Sequence, residues 1–145
     1  MKGTVVDTIH SMLILMPIHR DMRPAWLMYD DPDWDSPLFP NMTIRPDMDT
    51  ATRAEHLIRL CQPLTGRDTV TLTRLGDTPP VVKPCPEHDG QPRRYLYDWW
   101  RLDTPGRRVP SGWRLFTLPD MIADDRLMHV NHDAIGLAVQ HGWIC

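Results

Sequence analysis

The sequence predicts an α+β domain, and three observations carry that reading. Apolar and β-branched runs of strand length recur along the chain, separated by Pro, Gly and Asp turn residues. One stretch, residues 50–64, has the period of an amphipathic helix. Fifteen prolines in 145 residues argue for a loop-rich protein and against a helical bundle.

The elements follow in order. Residues 4–18 read as a strand with Pro17 near its end, and residues 19–24 as a polar turn. Residues 25–29 (AWLMY) give a second strand. Residues 30–37 (DDPDWDSP) read as a loop, full of Asp and Pro. Leu38 and Phe39 open a short strand that Pro40 closes. In the helix that follows, Thr52 and Glu55 have capping-box spacing, with Asp49 and Thr50 as competing caps. Ala54, Leu57, Ile58, Cys61 and Leu64 repeat as one buried face, and Gln62-Pro63 is expected to stop the helix. Residues 69–75 (TVTLTRL) alternate as a strand, and residues 76–91 read as a long Pro-rich loop. Residues 93–102 (RRYLYDWWRL) predict a strong strand with Tyr95, Tyr97 and Trp99 on one face. A turn at 107–112, a short strand at 113–116 and a helical turn at 118–123 come next. Asn131 or His132 is expected to cap a last helix running to about Gln140, with Gly142 at its C-terminal end.

Composition bounds the function. The length fits one domain over 1–145, large enough to bury a core without metal or disulfide. Hydrophobic content of 41% and charged content of 24% are ordinary for a globular chain. A net charge of −3 predicts no general affinity for nucleic acid. The charge is uneven: residues 1–50 carry eight Asp against four Lys or Arg, and residues 93–114 carry six Arg against two Asp. Cys61, Cys85 and Cys145 form no pattern and fit a reducing cytoplasm. No leader opens the chain, and the longest apolar run, 12–18, is too short to span a bilayer.

The run from Leu38 to Gly66, LFPNMTIRPDMDTATRAEHLIRLCQPLTG, places a short strand, a proline turn, a loop and an amphipathic helix in succession. In outline it resembles the strand, loop and helix of the Nudix fold. Trp26-Leu27-Met28-Tyr29, then Trp34, then Leu38-Phe39-Pro40 is similar to that family's approach to its box. WRLFTLPD at 113–120 is similar to the short strand and turn before its last helix. The resemblance implies an α/β/α sandwich with a mixed sheet, a central helix after the third strand and a C-terminal helix.

The family's box holds magnesium through glutamates, and this chain has only Glu55 and Glu87. With Gly66 as the last box glycine, Arg59 falls on the box arginine and Arg45 on the first glycine. Ala51, Leu60, Pro63 and Leu64 then stand where glutamates belong. A slide of two residues places Asp49 on the first acid, yet Ile58, Cys61 and Gln62 replace the rest. Magnesium needs several hard oxygen ligands in one place, and no register supplies them. The resemblance therefore implies the fold without the family's usual hydrolysis.

Other constellations are weighed against plainer readings. Cys85 and His88 have zinc-ligand spacing but no second pair, so a loop is the better reading. His129, His132 and His141 gather with Asp125 and Asp133, and a His132–Asp133 base is outweighed by simple helix capping. Asp31, Asp33 and Asp35 have part of a calcium-loop spacing without its glycine or closing glutamate. Arg93, Arg94, Tyr95, Tyr97, Trp99, Trp100, Arg101, Arg107 and Arg108 combine ring faces with phosphate-pairing groups. Adjacent strand residues face opposite ways, so one of Trp99 and Trp100 is expected at the surface.

The sequence thus points to a binding or regulatory module for a nucleotide-like small molecule or a protein. Its expected ligand residues are Arg59, Arg94, Tyr97, Trp99, Trp100 and Arg101, around a pocket above the 50–61 helix. No cofactor is implied. The rival is a diverged enzyme on a nucleotide or small metabolite, using Glu55, His56, His132 or Asp133, or a magnesium site rebuilt from Asp47, Asp49, Glu55, Asp120 or Asp133. A small subunit of a larger assembly, a homo-oligomer being one version, with the aromatic-Arg strand as its interface, is a third reading.

Overall fold

The computed structural model describes residues 7–20, 23–104, 106 and 108–145. Two sheets form its centre. The larger runs β5 (Asn41–Ile44), β1 (Thr8–Leu15), β8 (Gln91–Leu102) and β6 (Leu72–Asp77), with β7 (Val81–Cys85) also on β8. Only the β1–β8 pair is parallel, so the sheet is mixed. The smaller sheet joins β2 (Pro17–Arg20), β3 (Arg23–Asp31) and β4 (Ser36–Leu38), with β9 (Trp113–Phe116) on β3. Three helices complete the fold: α1 (Thr50–Thr65), α2 (Leu118–Ala123) and α3 (Asp125–Gln140). A sheet between helices is the α+β arrangement that the sequence predicts.

The large sheet is apolar on both faces. Met12, Ile14, Trp100 and Leu102 pack with Leu57 and Cys61 of α1. Leu13, Leu15, Tyr95, Tyr97 and Trp99 pack with Leu127, Ala134, Ile135 and Ala138 of α3. This corrects the expectation that Trp99 or Trp100 is exposed: they are 0% and 3% exposed. A strand with a helix over each face buries both of its alternating sets.

The first strand is shorter than the predicted 4–18. It breaks at Met16, where the chain passes from one sheet to the other; residues 4–6 lie outside the described set. The turn expected at 19–24 is mostly strand, its residues 21 and 22 lying outside that set. Only 32–35 of the Asp-rich stretch is a turn, because Asp30 and Asp31 continue β3 and Ser36 and Pro37 begin β4. β5 was not expected; it survives by pairing with β1. The middle of the expected 76–91 loop holds β7, followed by a 3-10 turn over Pro86–His88. Pro84 is tolerated in β7 because that strand flanks the sheet, with β8 as its partner. The 69–75 strand is shifted to 72–77, with a bulge between Arg74 and Gly76.

α1 begins at Asp49, whose carboxylate accepts from Thr52 N at 2.7 Å, rather than through Thr52 and Glu55. It passes through Pro63 and ends at Gly66, which takes φ 68°. A proline in the last turn removes one hydrogen bond at an exposed position and does not end the helix. α3 starts six residues before the expected cap, with Asp124 accepting from Leu127 N at 3.0 Å. Asn131, His132 and Asp133 are therefore mid-helix. Gly142, φ 75°, follows the helix where the sequence places it. No helix of the described residues is long and apolar enough to cross a membrane.

Candidate functional site

A cavity of about 240 Å³ opens on the α3 face of the large sheet. The sequence pointed instead to the α1 face. Alternation along the strands sets its floor: Ile9, Ser11 and Leu13 of β1 stand beside Tyr95 and Tyr97 of β8. Asn41 and Thr43 come from β5, Leu38 and Phe39 from the segment before it, and Asn131 and Ala134 from α3. Lys83 of β7, Glu87 and His88 of the 3-10 turn, and Trp34 of the 32–35 turn complete the wall.

The aromatic residues are organised around one ammonium. Lys83 Nζ lies 5.2 Å from the Trp34 ring centroid, 5.3 Å from that of Tyr95 and 5.7 Å from that of Tyr97. It is 3.0 Å from Asp133 Oδ2 and donates to Val130 O at 3.3 Å. Tyr97 Oη donates to the same carboxylate oxygen at 3.1 Å. Burial holds the Tyr97 phenol well above its ordinary range, and the Asp133 charge adds to this. Tyr95 Oη is buried without a hydrogen-bond partner among the described residues. Burial, then the adjacent Cys85 thiol, raises its phenol too.

Trp34 is held by its backbone. Arg126 of α3 donates from Nη2 to Trp34 O at 2.7 Å and from Nε to Asp35 O at 2.8 Å. Asp31 Oδ1 accepts from Asp33 N and Trp34 N, at 2.9 and 3.1 Å. Those carboxylate contacts make the acidic stretch a closed turn rather than a calcium loop. Asn131 ties α3 to β4 by donating to Pro37 O at 2.9 Å.

Across the sheet, Asp98 is 4% exposed at its side chain and receives three donors. These are Arg53 Nη1 at 2.9 Å, Arg74 Nε at 2.8 Å and Trp100 Nε1 at 3.0 Å. Tyr97 and Asp98 are neighbours on β8, yet the first bonds α3 and the second α1.

The sequence candidates separate. Tyr97 lines the cavity. Trp99 is sealed in the core between Phe39, Tyr97 and Trp143, and Trp100 lies in the core under α1. Neither reaches the cavity, because their positions on β8 fall beyond its floor or on the opposite face. Arg94 is exposed, Arg101 pairs with Asp103 on the surface, and Arg59 lies on the outer side of α1. Glu55 is exposed and His56 half-buried on α1, His132 is exposed, and Asp133 is the member of that pair that meets the cavity's lysine. Asp120 is occupied in the capping box of α2. Cys85 is buried while His88 is exposed. Lys83, Trp34 and Asn41 were missed: a lone lysine in a Pro-rich stretch and a tryptophan among aspartates give no local signal, and only the strand pairing joins them.

The residues at the start of α1 do not fit a magnesium cluster. Asp49 is taken up as the helix cap, and Asp47 stands exposed at the surface, 3.8 Å from Arg45. Among the described residues no three His, Cys, Asp or Glu side chains come together as a metal site.

No protein-family model and no curated protein matches the sequence. Solved structures do match its fold. An Ap4A hydrolase from C. elegans is 14% identical, covers 94% of this chain and 96% of its own, and superposes with a TM-score of 0.58. The C-terminal domain of mouse MUTYH, solved in complex with human PCNA, is 17% identical over 94% of this chain and 91% of that one, with a TM-score of 0.61. Shewanella oneidensis NrtR is 12% identical over 91% of this chain but only 64% of its own, with a TM-score of 0.55. Mixed sheet, helix order and these superpositions agree: the chain has a Nudix-like fold.

Proposed function

We propose that this chain is a Nudix-fold binding or regulatory module that takes a nucleotide-like small molecule and works without the family's magnesium box. The observation that carries this is the aromatic cavity, walled by Trp34, Tyr95 and Tyr97 and edged by the polar side chains of Ser11, Asn41 and Thr43. A flat ring buries apolar area against such walls, and a few polar groups at the rim fix its orientation. Fold alone does not choose the role. Its fold neighbours include a protein named as an Ap4A hydrolase, one solved with PCNA and one solved with a 27mer DNA. Asp49 is taken up as the cap of α1, and no three His, Cys, Asp or Glu side chains gather as a metal site among the described residues; both favour binding over metal-assisted hydrolysis.

Calorimetric titration with a panel of nucleoside diphosphate derivatives, with and without magnesium, tests the reading. The expected result is saturable binding that magnesium does not alter and that Tyr95→Ala abolishes. Robust release of phosphate products in the presence of magnesium would overturn it. The rival reading, a diverged metal-free enzyme, draws on one observation: the cavity holds an amine, a carboxylate and a phenol in contact.

A further inference from the structure

Lysine is the exception in this chain, which has fourteen arginines and two lysines, Lys2 and Lys83. Where Asp30, Asp47, Asp77, Asp98 and Asp103 meet a cation, the partner is arginine. Among the described residues only Asp133, beside the cavity, is met by lysine. Arginine pairs with carboxylates and stacks on aromatic faces at least as well, so the ion pair by itself does not call for lysine. What lysine adds is an amine that can lose its proton and attack a carbon.

From this exchange, and from its place in the cavity, we infer that Lys83 is a covalent site for a carbonyl compound. The ligand class is an aldehyde or ketone carried on a flat aromatic body, which the Trp34, Tyr95 and Tyr97 rings would hold. In the reaction Asp133 takes a proton from the Lys83 ammonium. The freed lone pair forms a C–N bond to the carbonyl carbon, the carbonyl electron pair moves to oxygen, and a proton passes from the new cationic nitrogen to that oxygen to give a neutral carbinolamine. The C–O bond then breaks, the hydroxyl leaves as water with the proton returned from Asp133, and nitrogen closes the C=N bond. Ammonium plus carbonyl thus gives protonated imine plus water, with no oxidant or reductant. Tyr97, donating to Asp133, is a positioning residue for that carboxylate. The site uses the cavity of the preceding section but needs no nucleotide, so nucleotide titration and the following experiment can fail separately.

The full chain is treated with benzaldehyde and sodium cyanoborohydride, which reduces any imine to a stable amine, and the labelled residues are located by mass spectrometry. The expected result is benzylation of Lys83 several-fold faster than of Lys2 or the Met1 amine, slowed in Asp133→Asn and lost in Lys83→Arg. Benzyl alcohol, which fills the same space and cannot condense, is expected to slow labelling at Lys83 and leave Lys2 unchanged; this arm uses the unaltered chain and stands even if a variant misfolds. Labelling of Lys83 no faster than Lys2, or equal slowing of both by benzyl alcohol, overturns the proposal.

Discussion

Arg53 of α1 reaches across to Asp98 of β8, 2.9 Å from guanidinium to carboxylate, while Arg74 and the Trp100 indole occupy the rest of that carboxylate. A buried acid with three donors is costly to disturb on one side only. Asp98→Ala leaves the buried Arg53 without this counter-charge and Arg74 with Asp77 alone, and is expected to destabilise the fold by about 3–5 kcal/mol. Arg53→Met, which leaves Arg74 in place, is expected to cost less. Urea denaturation of both variants, compared at equal slope, checks the order.

Asp133→Ala removes the counter-ion of Lys83 and the acceptor of Tyr97 together. Because Lys83 and Asp133 are 19% and 11% exposed at their side chains, water softens the loss, and about 1–3 kcal/mol is expected. Asp133→Asn keeps an acceptor for Tyr97 and is expected to fall between the two. Thermal unfolding followed by circular dichroism measures both.

Arg126 touches the cavity only through the carbonyls of Trp34 and Asp35. Arg126→Ala is expected to leave the core intact, cost under about 1 kcal/mol as an exposed contact, and weaken ligand binding several-fold by freeing Trp34. An unchanged affinity for the nucleotides that bind the parent chain would show that Trp34 keeps its place without this clamp.

Alkaline pH acts on Tyr95 and Tyr97. Burial raises both phenols in the folded state above their ordinary value near 10. A group with a raised folded pKa contributes stability that is complete below its unfolded pKa and is lost as pH climbs toward the folded one. Stability is therefore expected to be flat to about pH 10 with respect to these groups and to fall above it. Phenolate absorbance is expected to rise together with unfolding, not before it; Tyr97→Phe is expected to flatten part of that fall.

Legibility in the sequence followed the cause of each element. Leu57 and Cys61 were identified as the buried face of α1 because a helix imprints its own period. Tyr95, Tyr97 and Trp99 were placed together because a strand imprints alternation. Trp100 was misjudged because one strand's sequence does not say whether a second layer covers its other face. β5 and β7, four and five residues long, are stabilised by their partners β1 and β8, so their own residues carry little signal. The start of α3 was misplaced because Asn131 and Asp133 are good capping types. The spacing of Leu127, Asn131, Ala134 and Ala138 already ran through them. The cavity was illegible for a related reason: Trp34, Lys83 and Asp133 are fifty residues or so apart and meet only because the 32–35 turn, β7 and α3 are packed together in the fold.

The adjacency of Tyr97 and Asp98 has a mechanical meaning. One rung of β8 is moored to the helix above the sheet and the next rung to the helix below, so a displacement of either cylinder loads the same two peptide units.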